Sequence, residues 1–281
     1  WHNILYAELG QVATLASSLF PLYLLSGFGS GVISLMNYGK NIADIPNTLV
    51  TTQVSNVSGI KLNEEIARHD HAAMNDTFLK TSKLLVFILV PMGFYLFAFA
   101  RPVVELFYQS RNFTPAAITE SAIFLKLLAL TLFITGINAM VTRIFIAVQA
   151  IRQAFVYQVV LNILLIAATW LCTKQYGAYG YAWGIIVVNL VNYFGMYFIC
   201  KTLVPWVNYA ALLTYCALII LINAGIAGGL FLLAGYFAAG NLAILVTAFL
   251  IYILILLLLN KIFNLNTELG QLIQHAGQRF F

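Results

Sequence analysis

Residues 209–260 read YAALLTYCALIILINAGIAGGLFLLAGYFAAGNLAILVTAFLIYILILLLLN, without one charged side chain. A helix that crosses a membrane needs about 20 mostly apolar residues, so this stretch is long enough for two such helices. The whole chain of 281 residues is 62% hydrophobic and only 8% charged, whereas a soluble domain carries about 25% charged residues. The chain has too little polar material for the surface of a soluble protein, so the sequence predicts an all-α integral membrane protein.

Further apolar runs upstream of this pair bring the prediction to about eight transmembrane helices. The connections between them are short and punctuated by Gly and Pro, which is typical of antiparallel neighbours. The one long polar stretch, residues 61–82, is interpreted as an amphipathic loop or short helix at the membrane surface. The predicted spans are residues 9–28, 32–59, 83–107, 119–148, 153–173, 178–201, 208–235 and 240–262.

The basic residues predict the orientation of the chain in the membrane. The formal net charge is +5, but Lys and Arg are scattered singly between apolar runs, which is not the basic patch of a nucleic-acid-binding protein. Cytoplasmic loops carry an excess of Lys and Arg, so the richer set of loops is predicted to be cytoplasmic, together with the C-terminus. That set carries Lys61, Arg68, Lys80, Lys83, Arg143, Arg152, Lys201, Lys261 and Arg279, and the other set carries Arg101, Arg111 and Lys174.

The second span carries a polar stripe that should not face lipid. Its polar residues recur at steps of three and four, which places them on one helical face. Lys40 lies beside this face, four residues from Asp44, so the two side chains can pair. Charged groups inside a membrane are costly and are candidates for function, although an ion pair that only tolerates burial is the alternative. Pro46 should bend the helix or loosen one turn. The stripe comprises Asn37, Asn41, Asp44, Thr48, Thr51 and Ser55.

Weaker cavity candidates lie in other spans. Ser17 and Ser18 could line a cavity or pack between helices, Lys126 and Asn138 lie in the fourth span, and Arg143 could be an orientation anchor. No nucleophile–base set and no phosphate-binding loop is present, so the chain is not expected to be an enzyme. Its three cysteines lack the spacing of a metal site. His69 and His71 are interpreted as solvated residues of a charged segment, so no metal and no cofactor are expected.

Four segments together resemble the MurJ/MviN family of lipid II flippases, which belongs to the MOP flippase superfamily. Residues 31–40, GVISLMNYGK, are similar to the opening of the family's eighth helix, and Pro46 falls where that helix has its Leu-Pro. The other three segments follow in the family's order. They are residues 101–114 (RPVVELFYQSRNFT), residues 143–150 (RIFIAVQA), and Leu161-Asn162 with residues 176–182 (YGAYGYA).

The resemblance implies a fourteen-helix transporter of which this chain supplies helices seven to fourteen. The second six-helix lobe would be residues 1–204, two additional apolar helices residues 205–263, and a cytoplasmic tail residues 264–281. Because the chain starts at Trp1, close to an apolar run, an N-terminal lobe of the same protein is expected to be missing. The family location is the bacterial inner membrane.

The resemblance also implies the cargo and how it is held. Lipid II, an undecaprenyl-linked saccharide used in peptidoglycan synthesis, would move by alternating access, with its head group in a central cavity and its tail along the last two helices. The cavity residues would be Lys40, Asn37, Asn41, Asp44 and Thr48. The family's arginine position here holds Asn41, and the charge lies at Lys40 instead.

Three other functions remain open from the sequence. That shifted charge is compatible with relatives that flip O-antigen or capsule precursors. A cation-coupled small-molecule exporter like the MATE proteins would depend on Asp44 and not on Lys40. A membrane-embedded transferase would need acidic residues at one membrane face, where Glu105 and Glu120 are the only acidic pair.

Overall fold

The computed structural model describes residues 2–108, 113–234 and 242–266, and all regular secondary structure in these ranges is helical. A π-helical turn, Asn47–Thr51, separates the second and third α-helices, and a 3₁₀ turn, Gly177–Tyr179, separates the eighth and ninth. The α-helices are α1 His2–Ser26, α2 Val32–Pro46, α3 Thr52–Ala67, α4 His71–Ala98, α5 Ala100–Tyr108, α6 Pro115–Ala129, α7 Leu132–Ala147, α8 Ile151–Tyr176, α9 Gly180–Leu203, α10 Tyr209–Ala234 and α11 Leu242–Phe263.

The helices confirm the all-α membrane architecture. In the described residues, each predicted span coincides with a helix or with two consecutive helices; residues 235, 240 and 241 of the last two spans lie outside them. By length and apolarity alone, four helical stretches of the described residues can cross a membrane, and the bent pair α6–α7 makes a fifth. One of the four, Ile151–Leu203, contains both α8 and α9, which reverse direction at the 3₁₀ turn. The apolar part of α1, Val12–Ser26, is shorter than the 18 residues that this criterion requires. The pair α2–α3, which carries the polar stripe, is not among the stretches that meet the criterion.

Three predicted spans are broken helices. The second is interrupted by the π-turn after Pro46, where the proline was expected to loosen a turn. The third is divided at Phe99, between α4 and α5. The fourth is bent by 43° between α6 and α7. In these three spans, a single apolar run in the sequence therefore does not form one straight helix.

The polar stretch 61–82 is helical apart from residues 68–70, so the loop alternative was wrong, and the stretch forms the ends of two long helices instead of one short helix. α3 continues to Ala67, and α4 begins at His71. Between them, His69 takes a positive φ of 55°, and the Asp70 carboxylate accepts a hydrogen bond from the Ala73 N–H at 2.9 Å. A carboxylate at this position caps the first turn of a helix. The segment therefore extends two membrane helices beyond the apolar region.

Two apolar cores stabilise the bundle, one towards each end. The first joins α3, α4, α7, α9 and α10 around Phe78, Met140 and Tyr209. The second joins the end of α1 to α2, α5, α6 and the starts of α9 and α11, around Met36 and Phe124. At the first end the loop after α9 meets the start of α4, where the rings of His71 and Trp206 stack at 4.1 Å.

Glycine allows α2 to lie directly against α6. A β-carbon on Gly39 would approach the Ser121 carbonyl oxygen to 2.6 Å, closer than real contacts allow. Small residues at such crossings let helix backbones approach within a membrane. The next residue, Lys40, lies on the exposed side of α2.

Candidate functional site

The polar residues of α2 form one exposed face. Asn37, Lys40, Asn41 and Asp44 are all exposed, whereas Met36, Gly39, Ile42 and Ala43 are buried against the bundle. The Lys40 Nζ lies 3.4 Å from Asp44 Oδ2, with the two side chains 46% and 51% exposed. The ion pair is therefore not enclosed by this chain, and both charges remain available to a ligand.

The π-turn changes which residues continue this face. Thr48 is exposed as predicted, but Thr51 and Ser55 are buried, and Thr52 and Asn56 are exposed in their place. The Thr52 N–H bonds to the carbonyl of Asn47, five residues earlier. Such a turn holds more residues than an α-helical turn, so the exposed face shifts by one residue. The prediction that Thr51 and Ser55 share one helical face with Asn37, Asn41 and Asp44 was wrong for this reason. We call the corrected set Asn37, Lys40, Asn41, Asp44, Thr48, Thr52 and Asn56 the polar face.

Arg143 from α7 joins the far end of the polar face. Its guanidinium group donates a hydrogen bond to the Asn56 Oδ1 atom. A β-carbon on Gly59 would lie 2.9 Å from the Arg143 Cδ atom, so the arginine stem passes directly over this glycine. Asn56 is exposed and Arg143 half-exposed. The polar face thus carries a cation near each end, Lys40 on α2 and Arg143 beside α3.

The breaks in the second and fourth spans contact each other. The Thr135 hydroxyl, in the first turn of α7, lies 2.6 Å from Asn47 Oδ1 in the π-turn. The Thr51 hydroxyl donates to the same oxygen at 3.2 Å. The sequence pattern does not single out Asn47 or Thr135. The available signal was a polar residue directly after Pro46, which breaks the helix, but its partner is distant in sequence.

The weaker candidates lie in different environments. Ser17 is buried between α1 and α8, 3.0 Å from Asn162 Oδ1, so it packs helices together, whereas Ser18 is exposed. Lys126 is half-buried on α6. Asn138 on α7 has a buried Oδ1 atom with no hydrogen-bond partner. Of these four residues, the structure therefore places only Ser18 on an exposed surface.

An apolar groove lies beside α2, on the side away from the polar residues. It has a volume of about 380 Å³ and is bounded by α2, α4, α5 and α11. The Tyr95 hydroxyl donates to the Leu245 carbonyl at 2.9 Å, which joins α4 to the start of α11. Its walls include Ile42, Pro46, Met92, Leu106, Val246 and Phe249.

The described residues do not gather the ligands of a metal site or the acidic pair of a transferase. In the described ranges, no group of three or more His, Cys, Asp and Glu side chains is placed to hold a metal ion. Glu105 forms an ion pair with Arg101, Oε1 to Nε 3.3 Å, at the end of α5. The Glu105 carboxylate is therefore paired with a guanidinium group and not with a second carboxylate.

The family model described as "Lipid II flippase MurJ" matches residues 3–264. The chain belongs to the MurJ family. A curated MurJ relative, "Probable lipid II flippase MurJ" from Bdellovibrio bacteriovorus, is 20% identical over 213 residues, which are 74% of this chain and 40% of the relative. The chain therefore spans less than half the length of that relative. The family is one of membrane transporters, so the chain is a multi-pass membrane protein of the bacterial inner membrane.

A solved MurJ structure supports the fold. The structure described as "Lipid II flippase MurJ, inward closed conformation" matches with a TM-score of 0.75 and 19% identity. The match covers 91% of this chain and 52% of that protein. The arrangement of helices described above is therefore the arrangement of about half of a MurJ protein.

Three of the four MurJ-like motifs include a residue with a positive φ at a turn or near a helix end. Gly31 precedes α2 with a φ of 98°, and Gly177 begins the 3₁₀ turn with a φ of 62°. At the end of α7, Gln149 also has a positive φ, 57°. Positive φ values are strained for most residues and favour glycine. Parts of these three motifs therefore lie at chain reversals, whereas Asn37 and Lys40 of the first motif belong to the polar face.

Proposed function

We propose that this chain forms the second half of a lipid II flippase and that its polar face is one wall of the cargo pathway. The observation that carries the proposal is the exposure of Lys40 and Asp44 on a helix of a membrane protein. Charged groups do not face lipid, because each costs several kcal/mol at mid-bilayer. The face must therefore border water, cargo or the other half of the protein.

The two cations can each bind a pyrophosphate-linked head group, at two positions along the polar face that the helical rise separates by about 24 Å. Arg143 can bind a phosphate with two parallel hydrogen bonds, whereas Lys40 acts as a point charge. Asp44 keeps the Lys40 ammonium in place until a phosphate competes for it. Asn37, Asn41 and Thr48 offer uncharged donors and acceptors on the same side of the helix.

The apolar groove suits the polyprenyl tail of the same cargo. It lies on the opposite side of α2 from the polar face, and nearly all its lining is apolar. A ligand that places its head group on the polar face and its tail in the groove would pass around the edge of α2. This arrangement assigns the start of α11, within the predicted apolar pair of residues 205–263, to the tail path.

The proposal includes a partner lobe and an orientation. Residues 1–204 would form the second six-helix lobe, and the missing N-terminal lobe of the same protein would cover the polar face. The turn between α3 and α4 and the loop after α9 meet at one end of the bundle, where Asn75 Oδ1 accepts from the Asn208 N–H at 2.8 Å. Arg68, Lys80 and Lys201 lie near these connections, so this end would be cytoplasmic. The predicted tail, residues 264–281, lies almost wholly outside the described residues.

The test uses the full-length gene in cells depleted of their own lipid II flippase. The measurement is the amount of lipid II that reaches the outer leaflet, with the wild-type protein and with Lys40→Ala. Restored exposure that the substitution removes, at equal membrane abundance, supports cargo and site together. No restoration by a stably expressed wild-type protein would reject lipid II and favour another lipid-linked saccharide or an exported small molecule.

A further inference from the structure

A second cavity lies inside the lobe, between α7, α8 and α9, and has a volume of about 470 Å³. Five carboxamide side chains line it. One water molecule needs about 10–15 Å³ of cavity volume, so the cavity has room for a much larger group. We call it the amide cavity; its carboxamides are Asn138, Gln158, Asn162, Asn189 and Asn192.

Two buried polar atoms in this cavity have no partner. They are Asn138 Oδ1, an acceptor, and Asn162 Nδ2, a donor. Asn162 is only 9% exposed, and its other polar atom, Oδ1, is already bonded to Ser17. Buried polar groups are nearly always hydrogen-bonded, so each exception needs an explanation. Each of the two atoms has less than 1 Å² of accessible surface, so a ligand with a donor and an acceptor would satisfy them after a small rotation of the two side chains.

The charge of the lining limits the class of ligand. None of the side chains that line the amide cavity is charged, so it has no counter-charge for a phosphate or a carboxylate. Two amide oxygens are already in use, because Asn162 Oδ1 bonds to Ser17 at 3.0 Å and Asn192 Oδ1 accepts from Tyr157 at 2.6 Å. A neutral group with hydroxyls or amides fits the remaining donors and acceptors better than a cation does.

The cavity opens to the surface of the lobe between α7 and α8. Thr142 and Gln158 line it and are exposed, so the opening lies between α7 and α8. Gln158 donates a hydrogen bond to the exposed Thr14 on α1 at 3.3 Å. Thr142 directly precedes Arg143, which bonds to Asn56 at the end of the polar face. A head group bound near Arg143 therefore lies close to this opening.

We infer that the amide cavity is a subsite for an uncharged saccharide group of the cargo, held through its hydroxyl and amide groups. This inference rests on the proposed function, and it separates two tasks. Charged residues of the polar face hold the pyrophosphate, and the amide cavity recognises the sugar attached to it. A lipid with the same pyrophosphate and tail but no saccharide would lose only the second set of contacts.

The experiment compares two lipids bound to the full-length protein in nanodiscs. The probes are lipid II and undecaprenyl pyrophosphate, which lacks the saccharide, and the measured quantity is the ratio of their dissociation constants. The test variants are Asn138→Leu and Asn162→Leu. Folding should tolerate Asn138→Leu, because it removes a buried acceptor that has no partner. The control is Thr169→Val, a buried α8 residue that bonds only to its own helix and does not line the cavity.

The expected result is a loss of about three- to tenfold in preference for lipid II, the value of one neutral hydrogen bond. Affinity for undecaprenyl pyrophosphate and both affinities of the control should stay unchanged. An unchanged preference in both variants, with a wild-type protein that transports lipid II, would overturn the subsite and leave the proposed function intact. An equal loss of affinity for both lipids would show that the substituted residues have a structural role, and it would also overturn the subsite.

Two further results would also overturn the subsite. A wild-type protein that neither transports lipid II nor prefers it would overturn the proposed function and the subsite together. A thermal stabilisation by sodium ions that both variants lose, without a change in lipid preference, would make the cavity a cation site.

Discussion

The Thr135 hydroxyl lies 2.6 Å from the Asn47 carboxamide oxygen, and this contact joins the breaks of two membrane spans. Asn47 begins the π-turn that follows Pro46, and Thr135 lies one turn after the bend between α6 and α7. Irregular helical turns often occur at functional sites. Because the two breaks touch, a change in the angle of one span would be transmitted to the other.

Replacing Thr135 with valine should weaken this connection without changing the volume of the side chain. We expect a loss of about 1 kcal/mol in the free energy of unfolding, the net value of one hydrogen bond. Denaturant titration of the full-length protein measures it. The double variant with Asn47→Leu should lose less than the sum of the single losses.

The matched control for this pair is Thr119→Val. Thr119 is exposed on α6 and bonds only to the Pro115 carbonyl of its own helix, at 3.0 Å. Its replacement should change stability by about 0.5 kcal/mol or less. Strict additivity of the Asn47 and Thr135 substitutions would contradict the coupling.

Exchanging the charges of Lys40 and Asp44 tests whether the pair is structural. Lys40→Asp with Asp44→Lys retains an ion pair at the same spacing but moves the cation by one helical turn. Both side chains are about half exposed, and exposed pairs contribute roughly 0–1 kcal/mol, so the unfolding free energy should change little. The exchanged variant should fail to restore lipid II exposure in the depleted cells, as is expected of Lys40→Ala. Recovery of transport by the exchange would indicate that only the ion pair matters.

Thr77 supports a buried carboxylate near one end of the bundle. Its hydroxyl donates to Glu65 Oε1 at 2.7 Å, and the other carboxylate oxygen has no hydrogen-bond partner. Thr77→Val should lower the unfolding free energy by about 1.5–3 kcal/mol, because hydrogen bonds to charged groups are stronger than neutral ones. Thr202→Val, at an exposed residue bonded to its own helix, is the control. Equal losses of unfolding free energy in Thr77→Val and Thr202→Val would show that the Thr77 hydroxyl does not stabilise the buried Glu65 carboxylate.

Filling the apolar groove tests the proposed path of the tail. Val246 lines the groove and is 47% exposed, so a tryptophan there should narrow the groove without disturbing the core. We expect Val246→Trp to reduce lipid II transport at normal membrane abundance. Leu250→Trp, on the same helix but outside the groove lining and 59% exposed, should transport normally. Equal transport by the two variants would argue against a tail in this groove.

Much of the candidate site could be predicted from sequence as far as Pro46. Spacings of three and four residues identify the face of α2 that carries Asn37, Asn41 and Asp44, since an α-helix has a constant period. Beyond Pro46 the same rule pointed to Thr51 and Ser55, but the π-turn exposed Thr52 and Asn56 in their place. Local pattern cannot indicate how many residues a loosened turn will hold.

By itself, the sequence determined the membrane-embedded helical fold, because residues 209–260 contain no charge and hydrocarbon requires satisfied backbone groups. Its motifs also indicated the family, and its polar stripe located a functional helix. Tertiary structure alone decided the Arg143–Asn56 contact, the Thr135–Asn47 contact and the gathering of five carboxamides in one cavity. These residues are distant along the chain, and the packing of several helices brings their side chains within hydrogen-bonding range.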